Sequence, residues 1–333
     1  MVVDDSAFMR KVISDQINGI KDVSVCVTAR SGEDALLKLK KHKPDLITLD
    51  IEMTGMNGLE TLEQIKSLYN IPVIMLSSHS GEELTINCLE KGAMDFVEKP
   101  SNISKIEASF AVELGSKIKS IVSMPEIKLE TKMVNEKSNA LFPLKVKGIV
   151  IGASTGGPKA LMQLIKYIPS TLNIPIFIVQ HMPKGFTTSF SKRLNQEAAV
   201  EVVEASHGEL IRPGVVYLAP GDYHMTIDGR SIQLTNQIEK IHSVRPAVDP
   251  LFESAANVYG RSLIGIILTG MGSDGALGMK AISNVNGFNI AQDRETSVVY
   301  GMPRRATELG VVDEVLSLEM IGEKLNWMIR VRQ

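Results

Sequence analysis

The sequence predicts an α/β protein in two parts: an N-terminal five-stranded parallel sheet of order 2-1-3-4-5, and a C-terminal doubly wound, mostly parallel α/β domain with an added antiparallel hairpin. Three observations predict it. Short β-branched runs alternate with segments of helical period in both halves of the chain. A polar, poorly periodic stretch with two prolines runs from Ser123 to about Lys145 and reads as a linker. At 333 residues the chain also exceeds what one hydrophobic core usually supports. The expected division is residues 1–122, a linker at 123–146, and residues 147–333.

In the first part the strand candidates are Met1–Val3, Val23–Val27, Leu46–Leu49, Val73–Leu76 and Asp95–Val97. Helical patterns at Glu33–Lys41 and Leu59–Leu68 lie between them, and a last helix is expected from about Ile103 to Val122. In the second part the strand candidates include Ile149–Ile151, Ile176–Gln180, Val200–Val203, Val215–Ala219, Ser262–Leu268 and Asn289–Ala291. The pair Met225–Ile227 and Ile232–Leu234 flanks Asp228–Gly229 and reads as a hairpin.

Composition narrows the function classes. The formal net charge is −2, so no overall basic field draws the chain to nucleic acid or anionic lipid. No apolar run reaches the length of about 18 residues needed to cross a bilayer. The N-terminal MVVDDSAFMRK carries carboxylates where a secretion signal needs a basic start and an apolar core, so a cytoplasmic protein is expected. Cys26 and Cys88 lack metal-ligand or redox spacing and read as small buried residues in a reducing compartment.

Acidic residues stand at strand ends in the first part: Asp4 and Asp5 after the first strand, Asp50 after the third. In a 2-1-3-4-5 sheet those strands are neighbours and the carboxylates converge where ligands bind. Mg²⁺, a hard cation with oxygen ligands, would relieve their repulsion. Ser77 and Lys99, from the ends of the fourth and fifth strands, could bond and neutralise a phosphoryl group on Asp50. A single such acid is more often a solvated loop residue, by roughly three to one; the whole set in order reverses that. VVDDSAFMR, LDIEM, GMNGLE, MLSS and FVEKP together resemble a response-regulator receiver domain, a flavodoxin-like fold. The resemblance implies phosphorylation of Asp50 by a histidine kinase, Mg²⁺ held by Asp5 and Asp50 with help from Asp4, and switching through Ser77 and Phe96. Two departures stand out. The first strand is shorter than the family's, which is expected to lose ladder bonds beside Asp4 and Asp5; Thr54 replaces the usual proline, which is expected to loosen its loop.

In the second part GIVIGASTGGPKAL joins a strand, a glycine turn and a helix with an early proline, placing Ser154 near a helix N-terminus. The G-x-S-x-G spacing is that of a nucleophile elbow. Taken alone, such a loop binds phosphate about twice as often as it holds a nucleophile. A serine nucleophile needs a base. Among the six histidines, His42, His79, His207 and His242 lie in polar text or in the first part. His181 ends the apolar strand IFIVQ, at the same sheet edge as Ser154, and His224 is the second choice. A carboxylate is needed to orient the base: Asp274, in LTGMGSDG, is a candidate, and Asp249, in RPAVDPLF, competes with it.

The order Ser-His-Asp differs from that of α/β-hydrolases. GASTGGPKAL, QHMPKGFT, GVVYLAPGDYHM, VRPAVDPLF, LTGMGSDGALG and YGMPRRA together resemble the catalytic domain of the CheB family of chemotaxis methylesterases. The resemblance implies a triad of Ser154, His181 and Asp274, with backbone oxyanion donors at Met271 and beside the serine at Thr155, each worth about 3 kcal/mol. It further implies a cytoplasmic, phosphorylation-activated serine hydrolase that demethylates glutamate methyl esters on methyl-accepting chemotaxis receptors, releasing methanol, and that also deamidates glutamines. Ester hydrolysis needs no cofactor on this reading, and a monomer is expected. The N-terminal domain is expected to cover the catalytic crevice until Asp50 is phosphorylated. A nucleotide-binding module is the other reading of GASTGG; the absence of a lysine directly after the glycines, as in GKS or GKT, weighs against it.

Overall fold

The computed structural model describes residues 1–78, 81–100, 108–122 and 142–333. Two compact units divide the chain, Met1–Pro125 and Glu126–Gln333.

The first unit runs β1 (Val2–Val3), α1 (Ala7–Asn18), β2 (Thr28–Ala29), α2 (Gly32–Leu39), β3 (Ile47–Asp50) and α3 (Gly58–Leu68). It continues through β4 (Val73–Ser77), α4 (Glu82–Glu90), β5 (Asp95–Glu98) and α5 (Ala108–Val122). Its sheet has the order 2-1-3-4-5 and is parallel throughout. Inner strands β3 and β4 are wholly buried, as continuous apolar runs between two helical layers should be. Helices open on side-chain caps: Ser6, Ser31 and Asn57 each accept a first-turn N–H, and Asn57 and Glu60 complete a capping box.

Several expectations need correction here. The second strand is not Val23–Val27 but Thr28–Ala29, paired with Val2 and Val3. Within the expected strand, Val25 N–H donates to Asn18 Oδ1 at 2.8 Å instead of to a ladder partner. Cys26 is consequently exposed, whereas Cys88 is buried as expected. The two-residue β1 is nonetheless paired on both sides, and the Met1 amine donates to Leu46 O at 2.8 Å. The last helix is described from Ala108; the expected turn at 103–107 and His79 lie outside the described residues.

The second unit begins with β6 (Gly148–Ala153), α6 (Gly157–Leu164), β7 (Ile176–Gln180), α7 (Phe186–Glu197), β8 (Glu201–Glu204) and β9 (Val215–Leu218). There follow β10 (His224–Asp228), β11 (Ser231–Thr235), α8 (Val248–Tyr259), β12 (Leu263–Ile267) and α9 (Ala276–Asn284). The chain ends with β13 (Phe288–Gln292), α10 (Met302–Glu308), β14 (Glu314–Leu316) and α11 (Leu318–Arg332). Seven strands form one parallel sheet, ordered β14-β13-β12-β6-β7-β9-β8. β10 and β11 pair antiparallel as a separate two-stranded sheet, in the register expected around Asp228–Gly229. The edge strand β14 escapes the sequence pattern because its three residues are only half-buried. Chain order reverses about β6, whose neighbours are β7 on one side and β12 on the other, so the crevice beyond these three strands is the expected ligand position. Among the described residues no helix is long and apolar enough to cross a membrane.

Candidate active site and acidic crevice

Three adjacent strands of the second unit each deliver one polar residue past their carboxyl ends. Ser154 follows β6, His181 follows β7, and Asp274 lies in the turn between β12 and α9. The parallel ladder continues beyond the strands and pins them: Ser154 N–H donates to Thr269 O at 3.0 Å and His181 N–H to Ala153 O at 3.1 Å. Ser154 Oγ stands 3.1 Å from His181 Nδ1, and His181 Nε2 stands 2.7 Å from Asp274 Oδ2. With Asp274 ionised, Nε2 carries the ring proton and Nδ1 offers its lone pair to the serine hydroxyl. Side-chain exposure is 11% for His181 and 2% for Asp274, so the carboxylate is sealed while the imidazole reaches solvent.

Asp274 is held as an anion. Burial pushes its carboxyl up, but the hydrogen bond and charge of His181 outweigh that, helped by the N–H groups of Val248 and Asp249, and the pKa lies below the usual value. Val248 N–H donates to Oδ2 at 2.7 Å, while Asp249 and Gly275 N–H groups donate to Oδ1 at 3.0 and 2.9 Å. These amides belong to the N-terminal ends of α8 and α9, where the helix dipoles favour negative charge.

The structure also separates the competing candidates. His224 is buried with both ring nitrogens engaged: Nδ1 accepts from Ala247 N–H at 3.2 Å and Nε2 donates to Glu239 O at 3.1 Å. Asp249 pairs with His242, whose Nε2 lies 3.2 Å from Asp249 Oδ2, and not with His181. His207 Nδ1 accepts from Leu234 N–H beside the hairpin.

Ser154 sits before α6, whose N-cap, Gly156, has φ of +77°. A side chain there would be strained and would meet Val298 at 2.5 Å. On the other flank the backbone of Gly270 approaches Ser154 so closely that a Cβ would lie 2.9 Å from Ser154 Cβ. The N–H groups of Thr155 and Met271 donate to no protein acceptor among the described residues, leaving both expected oxyanion positions available. Met271 is partly exposed and Thr155 buried.

Some supporting residues were missed at the sequence level. Gln180, 2% exposed, donates both amide hydrogens, to Ser154 O at 3.0 Å and to His181 O at 3.1 Å, so one side chain ties Ser154 and His181 together. Thr269 accepts Ser154 N–H on its carbonyl and donates its hydroxyl to Thr155 O at 2.9 Å. For Gln180 the available signal was a polar residue ending an otherwise apolar strand.

In the first unit Asp4, Asp5 and Asp50 converge as expected, with one carboxylate oxygen of each within 4.8 Å of the others. Lys99 Nζ donates to Asp50 Oδ1 at 2.7 Å and lies 3.8 Å from Asp4 Oδ2. Burial, then the charge of Asp50, pushes Asp4 up to about 6. Burial likewise raises Asp50, opposed by Lys99. Asp4 Oδ2 is buried without a hydrogen-bond donor. An orphaned carboxylate oxygen among three acids fits a hard divalent cation, so these residues suit Mg²⁺. Ser77 and Phe96 are buried; Ser77 Oγ bonds Thr85 Oγ1 at 2.7 Å and donates to Ser78 O at 3.0 Å. The Thr54 loop is tethered, contrary to expectation. Its N–H and hydroxyl both donate to Asp5 Oδ2, at 2.9 and 3.2 Å, and a proline could make neither bond.

Comparison with known proteins follows the same division. Residues 149–325 match the family described as CheB methylesterase, and residues 1–111 match the response regulator receiver domain. A protein-glutamate methylesterase/protein-glutamine glutaminase of Pyrococcus horikoshii is 43% identical over 97% of this chain and 91% of its own. One of the same name from Clostridium acetobutylicum is 44% identical over 99% of this chain and 97% of its own. The crystal structure of the Thermotoga maritima CheB methylesterase catalytic domain is 43% identical and aligns with a TM-score of 0.53, covering 55% of this chain and 99% of that one. The chain belongs to the CheB methylesterase family, with a response-regulator receiver domain ahead of its methylesterase domain.

Proposed function

We propose that this chain is a phosphorylation-activated serine hydrolase that removes methyl esters from glutamates of methyl-accepting chemotaxis receptors and deamidates receptor glutamines. One observation carries the reading: the His181 ring is engaged on both sides, by Ser154 Oγ at 3.1 Å and by Asp274 Oδ2 at 2.7 Å. Ser154 Oγ attacks the γ-carbonyl of the ester, and its proton passes to His181 Nδ1. Asp274 balances the imidazolium across Nε2. The N–H groups of Thr155 and Met271 bind the oxyanion. Collapse breaks the bond to methoxide, which takes the proton from His181 and leaves as methanol. Water, deprotonated by His181, then hydrolyses the acyl-serine to the glutamate carboxylate and restores Ser154. With a glutamine substrate the same steps release ammonia. Ser154→Ala should abolish methanol release from methylated receptor; substantial release by that variant would refute the assignment.

Regulation belongs to the same proposal. The assignment of residues 1–122 as receiver, 123–146 as linker and 147–333 as catalytic domain gives each site its own domain. Asp50 is the phosphoryl acceptor from a chemotaxis histidine kinase, in a cytoplasmic, monomeric protein. Mg²⁺, held by Asp4, Asp5 and Asp50 when bound, supplies neutralising charge to the phosphoryl oxygens. Lys99 pairs with the phosphoryl group, and Ser77 and Phe96 repack around it. Asp50→Asn should leave basal methanol release intact and remove its stimulation by a small-molecule phosphodonor with Mg²⁺. Full stimulation of that variant would refute the assignment of Asp50.

A further inference from the structure

The turn that carries Asp274 and the first turn of α8 cap one another. Asp274, just before α9, accepts the N–H groups of Val248 and Asp249 that open α8. Asp249, in the first turn of α8, accepts the N–H of Gly278 in the first turn of α9 on its Oδ1, at 2.7 Å. Each carboxylate thus closes the N-terminus of the other's helix. Helices α8 and α9 pack so tightly at this point that a Cβ on Gly278 would lie 2.4 Å from Phe252 Cβ. A second buried carboxylate is a costly thing to place beside the triad acid, since like charges at short range repel. Asp249 is 5% exposed and Asp274 is 1% exposed. One side-chain oxygen of each, with a ring nitrogen of His242, lies within a 4.8 Å cluster. All four carboxylate oxygens have a donor, so the cluster is a closed hydrogen-bond network.

We propose that Asp249 is a positioning residue for the hydrolytic triad, holding Asp274 through the reciprocal cap and adding a second negative charge to the field in which His181 accepts its proton. The inference rests on the serine-hydrolase reading of Ser154, His181 and Asp274. Charged and titratable groups face Asp249 from each packed element: His242 from the segment before α8, Asp274 from the turn before α9, and Glu253 from α8 itself. His224 faces Asp274 from β10. Burial holds Asp249 above the usual carboxylate range, opposed by Gly278 N–H, and the charge of Asp274 adds to the rise, in keeping with two carboxylates sharing one field. The two carboxylates together favour the imidazolium that forms when Ser154 gives up its proton.

Asp249→Asn separates the two parts of this role. Its amide oxygen can still accept Gly278 N–H, so the cap survives while the charge is lost. In the full-length protein this variant should move the acid limb of the kcat/KM profile for methanol release to lower pH, by about half a unit to one unit. The His181 ring titration followed by NMR should move by the same amount. Asp249→Ala, which removes cap and charge together, should shift the titration similarly and also lower kcat at the pH optimum. An unmoved His181 titration in folded Asp249→Asn overturns the proposal. That titration is read without turnover, so it stands apart from the Ser154→Ala experiment: release by Ser154→Ala sinks the hydrolase reading, and a static titration sinks only the role of Asp249.

Discussion

Replacing Asp274 by asparagine sets two demands of the buried site against each other. The carboxylate accepts four bonds, from His181 Nε2 and Val248 N–H on one oxygen and from Asp249 and Gly275 N–H groups on the other. An amide offers one acceptor and one donor edge, so one pair must face an NH₂ group. If the amide oxygen stays opposite His181, both Asp249 and Gly275 lose their acceptor. If it turns away, only Val248 does, and His181 adapts by moving its proton to Nδ1 and accepting at Nε2. An unpaired buried donor costs about 1–3 kcal/mol, so the second arrangement wins by roughly that amount. It places an N–H opposite Ser154 Oγ where a lone pair is needed. The expected loss in kcat is therefore about 10³- to 10⁴-fold, with KM nearly unchanged. Stability should fall far less, by a few degrees in Tm for about one orphaned donor. Methanol release from methylated receptor measures the first, calorimetry the second, and nitrogen NMR of the ring reports which atom holds the proton. A folded variant with kcat within about tenfold of the parent, or a ring still protonated on Nε2, would refute this reasoning.

Three other perturbations have definite outcomes. Gly270→Ala puts a Cβ 2.2 Å from Met302 Sδ and 2.9 Å from Ser154 Cβ, so it should displace the nucleophile and cut kcat by about 10²-fold or more, read by methanol release. Burial raises Asp313 to about 6, above its unfolded value, so its contribution to stability is present at low pH and is lost as pH rises through about 6. Asp313→Asn keeps an acceptor for Asn289 N–H and should gain about 1–2 kcal/mol at pH 8 relative to the parent, with no gain near pH 4, by urea unfolding. Thr54→Pro removes both donors to Asp5 Oδ2 and should change Mg²⁺ affinity, measured by titration calorimetry, while leaving basal methanol release untouched.

Ser154, His181 and Asp274 could be placed together because each follows an apolar strand, and parallel strands put such ends on one edge. The residue pattern alone left Asp249 competing with Asp274, and only the family resemblance pointed to Asp274. Both are buried acids at helix starts, and they are told apart only by which one faces the His181 ring. The displaced second strand had a similar cause: Val23–Val27 has the β-branched composition of a strand, but pairing is decided by β1, which has only two residues to offer. Cys26 went with it to the surface. Thr54 read as a loosened loop because local propensity knows nothing of Asp5, far away in the chain. Gln180 and Thr269 were missed for the same reason, since they reach Ser154 and Thr155 through bonds between residues far apart in the chain.

The glycine loop itself bears on the reading that GASTGG cradles a phosphate. Such cradles work by turning successive backbone N–H groups toward one anion. Here Ser154 N–H is committed to Thr269 O and Gly157 N–H to Ser154 O, and Pro158 has no N–H to give. Of positions 154–158, that leaves Thr155 and Gly156. Two donors are too few to embrace a dianionic phosphate, yet one of them, with Met271 from the facing turn, suits a single developing oxyanion. The ladder bond that withholds Ser154 N–H from a ligand is the same bond that holds the backbone from which its Oγ projects. Holding the Ser154 backbone and disabling the anion cradle are one structural event, and it is the third strand end, through Thr269, that brings it about.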